Sequence, residues 1–468
     1  MSDTPLRPEG EQAQAEELYG VTRRDIDAVR AAMDAGDIGR MEGIALGLHA
    51  ADLADLIEGL SPAERRILFA AMGPRIDPQV LAFLEETVRE EVIGLMPPAD
   101  VAAAVTELDT DDAVEVVASL DAPVQEEILG NLDAGDRVVL EEALAWPEDS
   151  AGRLMQREFV AVPSHWTVGD TIDFLRNEAE KGGESLPTEF FDIFVVDPAH
   201  RPLGMVSLSR LLRTRRPVRL DELMDTDIDR IPVITDQEEV AHLFRQYDLA
   251  SAPVVDDAGR LVGVVTHDDV MDVVHEEAEE DIMRLAGVQE DDLYQAVLNT
   301  SRSRISWLIL SLIGLFSASL VIWFFQGTIE QIVALAVLMP IVAALGGNAG
   351  IQTMTVAVRA LAVKELHGAN AVRIIGKETL VAAMNGLALA ALVGTVAGLW
   401  FWSPGLGLVI GGAIMVNLLA AGAVGVLIPL TLHRLGVDPA VASSVFLITV
   451  TDTVGFAAFL GAAALFLL

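Results

Sequence analysis

Apolar and polar positions divide the chain into three textures. From residue 301 onward apolar residues run almost without interruption. Runs at 305–325, 329–363, 380–402, 406–432 and 441–468 are each long enough to cross hydrocarbon, which takes about 20 helical residues. Five transmembrane helices are predicted. The second run is too long for one straight span, so it is expected to tilt, or to break near Pro340 and Gly346-Gly347.

Over 21–148 the apolar residues instead follow helical spacing, cut repeatedly by breakers such as Ser61-Pro62, Pro97-Pro98 and Asp121-Ala122-Pro123. Loosely similar segments start at Asp52-Leu53-Ala54, Asp100-Val101-Ala102 and Asp112-Ala113-Val114, which predicts an α-helical repeat array. Over 151–275 strand and helix patterns alternate. Phe194-Val195-Val196-Asp197 and Leu203-Gly204-Met205-Val206-Ser207 match Pro253-Val254-Val255-Asp256 and Val262-Gly263-Val264-Val265-Thr266 at an offset of 59. Leu154-Met155 matches Leu223-Met224 at an offset of 69, so the first copy carries about ten extra residues, placed around 181–190. The expected organisation is multidomain. A disordered tail (1–20) precedes an α-helical superhelix (21–148) and an α/β tandem pair (149–275). An acidic connecting helix (276–300) then leads, amphipathic over 282–300, into an all-α polytopic membrane domain (301–468).

Charge sharpens this division. The net charge is −39, yet 52% of residues are hydrophobic. Residues 301–468 hold seven bases and five acids, leaving 24 bases and 65 acids in residues 1–300. Such a surface repels nucleic acid and anionic lipid and attracts cations. There is no cysteine, which excludes disulfides and thiolate metal sites. The polar, acidic segment 1–20 shows no cleavable signal peptide, and the soluble part is expected in the cytoplasm. All seven bases of the membrane part (Arg302, Arg304, Arg359, Lys364, Arg373, Lys377 and Arg434) fall before the first run, in the last turns of run two or between runs two and three, or between runs four and five. Positive charge stays inside, so the N-terminal part is cytoplasmic and the C-terminus is outside, in a cell (inner) membrane. Trp323, Trp400 and Trp402 then sit at outer ends of spans, as interfacial aromatics do.

Asp452 is the one acid deep within a span. It lies roughly 15 Å in from the cytoplasmic end at about 1.5 Å per residue. A carboxylate there is costly unless it meets a partner helix, a cation or a wet cavity. Thr449, Thr451 and Thr453 surround it in sequence. The second run carries Gly346-Gly347-Asn348-Ala349-Gly350-Ile351-Gln352, whose glycines permit close packing or expose carbonyls to a cavity. Asn348 and Gln352 are four apart and share a face, and Asn385 and Asn417 add amides elsewhere. One carboxylate makes a poor cation site, but a symmetric dimer brings two together on its axis. Carboxylates and amides without His or Cys suit a hard, hydrated divalent ion such as Mg²⁺, with Ca²⁺, Mn²⁺ and Co²⁺ chemically open.

Two cytoplasmic features carry further chemistry. Residues 268–281 hold Asp268, Asp269, Asp272, Glu276, Glu277, Glu279, Glu280 and Asp281 with no intervening Lys or Arg. Like charges at i,i+4 destabilise a helix, so this run is a solvated face, a partner for Arg side chains from elsewhere, or a binder of divalent ions. Just before it, Gly263, Thr266 and Asp269 occupy positions one, four and seven of a turn that can hold a ribose and phosphates, which makes ATP a candidate regulatory ligand. The first copy has Arg210 in place of the acid, so such a site is asymmetric.

The order of helical array, tandem repeat, acidic helix and five spans resembles the MgtE family of magnesium channels and transporters over nearly the whole chain. The tandem repeat is similar to a pair of CBS (cystathionine-β-synthase) domains. Pro340, six residues, then Gly347-Asn348, together with Asp452 in the last span, match the family's pattern. The resemblance implies a homodimer with a pore on its twofold axis and a cytosolic Mg²⁺ sensor. It implies Asp452 as the selectivity carboxylate and Asn348 as pore-lining. It implies sensor ligands at Asp236, Glu238, Asp248, Asp269, Asp272, Glu277, Glu280 and Asp281. One departure bears on selectivity: many members have a second Asn where this chain has Ile351. Two other readings compete, a carrier of another divalent cation or Na⁺-coupled exchanger, and a membrane sensor of Mg²⁺ or nucleotide that transports nothing. Exchangers usually carry several intramembrane acids. An enzyme is disfavoured, since neither Gly-x-x-x-x-Gly-Lys-Ser/Thr nor His-Glu-x-x-His occurs.

Overall fold

A computed structural model describes residues 20–180, 186–187, 189–288, 297–366, 368 and 370–468. The expected tail up to residue 19, and most of the extra segment around 181–190, lie outside the described residues. The chain forms two compact units, Met1–His275 and Glu276–Leu468.

The first unit opens with ten short helices, α1 (Arg23–Ala35) through α10 (Ala134–Leu144), among the described residues. Their starts are coded locally. Thr22 and Asp25 form a capping box, as do Ser61 and Glu64, with Pro62 in the first turn. Their apolar faces bury Val29, Leu56, Ile57, Leu68, Val92 and Val117 in one continuous core. The weak repeat has a physical basis. Buried Arg65 donates to the carbonyls of Ile57 and Glu58 and pairs with Glu91 at 2.6 Å. Buried Arg89, 24 residues on, donates to the carbonyls of Ala82 and Leu84 and pairs with Glu115. Each arginine thereby satisfies helix-end carbonyls that burial would otherwise leave unpaired.

Two three-stranded sheets follow, β1 (Ala161–Pro163), β2 (Asp192–Val196) and β3 (Pro202–Ser207), then β4 (Ile231–Pro232), β5 (Ser251–Val255) and β6 (Leu261–Thr266). In each, the first pair is parallel and the second antiparallel, with a register shift at Val195/Val196 and again at Val254/Val255. Asp197 Oδ1 accepts from the Ala199 and Arg201 amides, and Asp256 Oδ1 accepts from those of Ala258 and Arg260. The repeat read at offset 59 is thus a repeat of hydrogen bonds. α8 (Thr110–Ala118) and α15 (Gln237–Tyr247) matter below.

α16 (His267–Ala286) begins in the first unit and ends in the second, where Gly287 adopts φ 72°. The sequence predicts a connecting helix over 276–300. The helix carrying the acidic run stops at Ala286, because Gly287 enters a left-handed conformation open to it at little cost; of the rest of the expected connecting helix, 289–296 lie outside the described residues and 297–300 open the next helix.

The second unit holds α17 (Val297–Phe324), α18 (Gln326–Gln331), α19 (Ala334–Ala362), α20 (Ala371–Trp400), α21 (Pro404–Arg434) and α22 (Pro439–Phe466). Among the described residues five helices are long and apolar enough to span a membrane. α21 is the most enclosed, packed against α19, α20 and α22. Its approach to α20 is backbone to backbone: a Cβ on Gly394 would come within 2.7 Å of the Gly407 carbonyl oxygen. α19 does not break at Pro340 or at the glycine pair. α18, a separate short helix, takes only the first three residues of the second apolar run, and most of its surplus length stays in α19, which is 29 residues long.

Candidate functional site

α22 is fixed at its start by Asp438, whose side chain caps the helix at the Ala440 amide, 2.8 Å away, with Pro439 in the first turn. Along it the threonines around Asp452 are used internally. Thr451 is buried and bonds back to the Leu447 carbonyl. Thr449 bonds to the Val445 carbonyl and fills the space that Gly314 of α17 leaves open. The Thr453 hydroxyl lies 3.3 Å from that of Ser317. Asp452 itself is half-buried, and no described residue hydrogen-bonds or ion-pairs with it.

α19 divides its glycines from its amides. Gly346 and Gly350 face inward, against Asn417 and Leu447. Close packing is therefore the role of these two, and the expected exposure of their backbone as an irregular segment does not occur, because the helix ladder continues through them. Pro340, Ala344, Asn348, Ile351, Gln352 and Thr355 lie exposed along one stripe of α19. Asn385 is exposed on α20, whereas Asn417 is wholly buried.

The expected sensor residues separate into three places. Asp236 caps α15, accepting from the Glu238 amide at 3.0 Å, while Asp248 ends the same helix in a left-handed conformation. About 18 Å of helix separates Asp236 from Asp248, so one ion cannot touch both within a protomer. Glu277, Glu280 and Asp281 belong to the second unit. There Arg284 pairs with Glu280 and with Asp438 at 2.7 Å. Burial, with Asp438 and Glu277 nearby, pushes the Asp281 carboxyl up to about 6.

Asp269 and Asp272 meet acids that the sequence reading did not single out. The N-terminus of α8 brings Asp109, Asp111, Asp112 and Glu115 against Asp268, Asp269 and Asp272 of α16. Burial, reinforced by Asp269 and Asp112, raises Asp111 well above the carboxylate range. Burial, with Glu115 and Asp269 beside it, raises Asp112 to about 7. Asp109, Asp269 and Asp272 are raised too, in each case chiefly by burial. Asp111 Oδ1 is buried with no hydrogen-bond partner among the described residues. Arg89 is committed to Glu115. The signal was visible as Asp109-Thr110-Asp111-Asp112, but about 160 residues separate it from α16. Among the described residues no three carboxylates or imidazoles converge as a chelating group. The donors are all hard oxygens, which fits a hydrated divalent ion held partly through its waters.

At the turn expected to hold a nucleotide, the Thr266 hydroxyl donates to Asp269 at 2.6 Å. A Cβ on Gly263 would strike the side chain of Met155, so this glycine admits the chain segment before β1. Thr266 also lines a small cleft between the two sheets, with Phe190, Phe191, Asp192 and Ser251. Asp192 and Ser251, again 59 apart, hydrogen-bond across it at 2.8 Å.

Comparison with known proteins follows the same divisions. Residues 339–462 match the family model described as a divalent cation transporter, MgtE. Residues 48–149 match the MgtE intracellular N domain, and 151–216 and 220–276 match the CBS domain. The magnesium transporter MgtE of Bacillus subtilis is 30% identical over 430 residues, covering 89% of this chain and 94% of its own. That of Thermus thermophilus is 33% identical over 447 residues, covering 94% and 98%. A crystal structure of the cytosolic domain of the Mg²⁺ channel MgtE in complex with ATP is 31% identical, with a TM-score of 0.49, covering 53% of this chain and 99% of that one. These relatives are transporters and not enzymes. With identity of this order extending over nine-tenths of the chain, and all three domain types in matching order, the chain belongs to the MgtE family of magnesium transporters.

Proposed function

We propose that this transporter is a Mg²⁺-selective channel for magnesium uptake, closed by Mg²⁺ that binds its cytosolic carboxylates. The observation that carries the reading is Asp452. A half-buried carboxylate near mid-bilayer, with no protein partner described, needs a cation and water. The exposed stripe on α19 points the same way, because Asn348 and Gln352 cannot face hydrocarbon cheaply. A second copy related by a twofold axis covers that stripe and sets two Asp452 carboxylates around one ion. Asn348 lines the path beside them. Ile351 puts an apolar side chain on the same stripe, so discrimination against Co²⁺ and Mn²⁺ rests on fewer amides.

Gating follows from the acids of α8 and α16. Without divalent ions the group of Asp109, Asp111, Asp112, Asp268, Asp269 and Asp272 is self-repelling, and the helical array parts from the tandem pair. With Mg²⁺ the charges are neutralised and α16 is held. α16 also carries Glu277, Glu280 and Asp281, so its hold is transmitted toward α22 through Arg284 and Asp438. Asp236, Glu238 and Asp248 serve as ligands shared with a partner protomer. ATP in the cleft at Thr266 is a second regulatory ligand. The N-terminal half lies in the cytoplasm and the C-terminus outside.

Flux from liposomes against Mg²⁺ on the sensor side tests this. Flux falls as that Mg²⁺ rises, and Asp269→Ala with Asp272→Ala and Glu277→Ala shifts the inhibitory concentration upward severalfold. Inhibition unchanged by the triple variant removes the sensor, and flux unchanged in Asp452→Ala removes the channel.

A further inference from the structure

Asn417 of α21 is fully buried in the membrane unit. Its Nδ2 donates to the Val342 carbonyl of α19 at 2.9 Å, and its Oδ1 has no partner among the described residues. The amide fits only because two helices lack a side chain where it lies. A Cβ on Gly346 of α19 would collide with Nδ2, and a Cβ on Gly455 of α22 would lie 2.6 Å from it. Gly346 is two residues from Asn348, and Gly455 is three from Asp452. The amide therefore sits as a wedge between the two helices that carry the ion-facing groups.

A leucine has the same branching, with bulkier ends, and would bury no unsatisfied acceptor. An amide in that place forfeits packing stability, as buried half-satisfied polar groups do. It gains direction: a hydrogen bond to one carbonyl fixes rotation and height, which apolar contact does not. Rotating α19 or α22 by one residue turns its side chains by about 100°. Asn348 or Asp452 would then leave the path.

We propose that Asn417 is a positioning residue for permeation, an amide key seated in the Gly346 and Gly455 sockets that sets how Asp452 and Asn348 are presented to the ion. This rests on the channel reading above and adds a residue away from the path.

The test uses the full-length protein in liposomes. Mg²⁺ and Co²⁺ flux are measured together with the folded peak in size-exclusion chromatography. Asn417→Ala and Asn417→Leu should retain the folded peak and change the Mg²⁺ to Co²⁺ flux ratio at least threefold, an effect that lower protein yield cannot produce. Gly346→Ala should cut Mg²⁺ flux at least tenfold, and Gly346→Ala with Asn417→Ala should recover at least threefold of that loss, because the key is gone from the filled socket. An unchanged ratio in both Asn417 variants overturns the proposal. So does a double variant no better than Gly346→Ala, and so does loss of the folded peak in both, which would make the amide a determinant of folding only. Asp452→Ala is run alongside. Full flux in that variant refutes the channel reading itself, whereas its loss beside normal Asn417 variants refutes only the key.

Discussion

Asp452 shows how much a single side chain can decide. Its neighbours Thr449, Thr451 and Thr453 are spent on helix carbonyls, on Gly314 and on Ser317, so they give the carboxylate no described partner. On the proposed path, charge and not size is what the ion requires of this side chain. Asp452→Asn keeps the shape and removes the charge. Mg²⁺ uptake by this variant should fall at least tenfold while the amount of folded protein stays near wild type. With the two axial carboxylates of the proposed dimer, neutralising both costs a divalent ion several kcal/mol even at an effective dielectric of about 20. Normal uptake by Asp452→Asn would mean that the ion passes elsewhere.

At the scale of elements, the meeting of α8 with α16 brings carboxyls of raised pKa together, so protons bear on it as well as the ions of the proposed gate. Asp111 and Asp112 are raised, the latter to about 7, and Asp109, Asp269 and Asp272 follow. Facing them are Arg89, held by Glu115, with Glu158 near Asp109 and His275 near Asp272. A carboxyl with a raised native pKa binds more protons folded than unfolded. Its contribution is therefore present below the ordinary carboxylate range and is lost as pH rises through the native value. In chelator, the thermal unfolding temperature should fall by several degrees between pH 5.5 and pH 8. Millimolar Mg²⁺ at pH 8 should restore it, because the cation replaces the protons. A melting temperature independent of pH in chelator would show that the acids do not repel across this contact. The same contact explains what was hard to read in advance. The acidic run of α16 stands out in sequence, but Asp109, Asp111 and Asp112 look like ordinary helix-start residues until the fold sets them opposite. Asp236 and Asp248 teach the converse, since both are plain in sequence yet sit at opposite ends of one helix.

For the whole molecule, the α19 stripe tests the proposed twofold assembly. The chain has no cysteine, so a single introduced cysteine can form a disulfide only between chains. Ala344→Cys, on the exposed stripe, should cross-link to a covalent dimer under mild oxidant. Leu387→Cys, exposed on α20, should remain monomeric on a denaturing gel. The reverse pattern would move the dimer axis to another face. Such an outcome would also separate Asp452 from its twin.

Some of this protein is local chemistry and could be read directly. Five spans follow from hydrophobic length, and the tandem repeat from a period of 59 that returns as matched strands and turns. The helical array follows from spacing and capping residues such as Thr22 and Ser61. Other features depended on parts of the chain far apart in sequence. The Asn417 key needs Val342, Gly346 and Gly455 from two further helices. The α8 acids acquire meaning only against α16. Propensity, hydrophobicity and charge act between near neighbours and leave a mark in sequence, whereas contacts between helices depend on where distant backbones come to rest, and only the folded chain determines that.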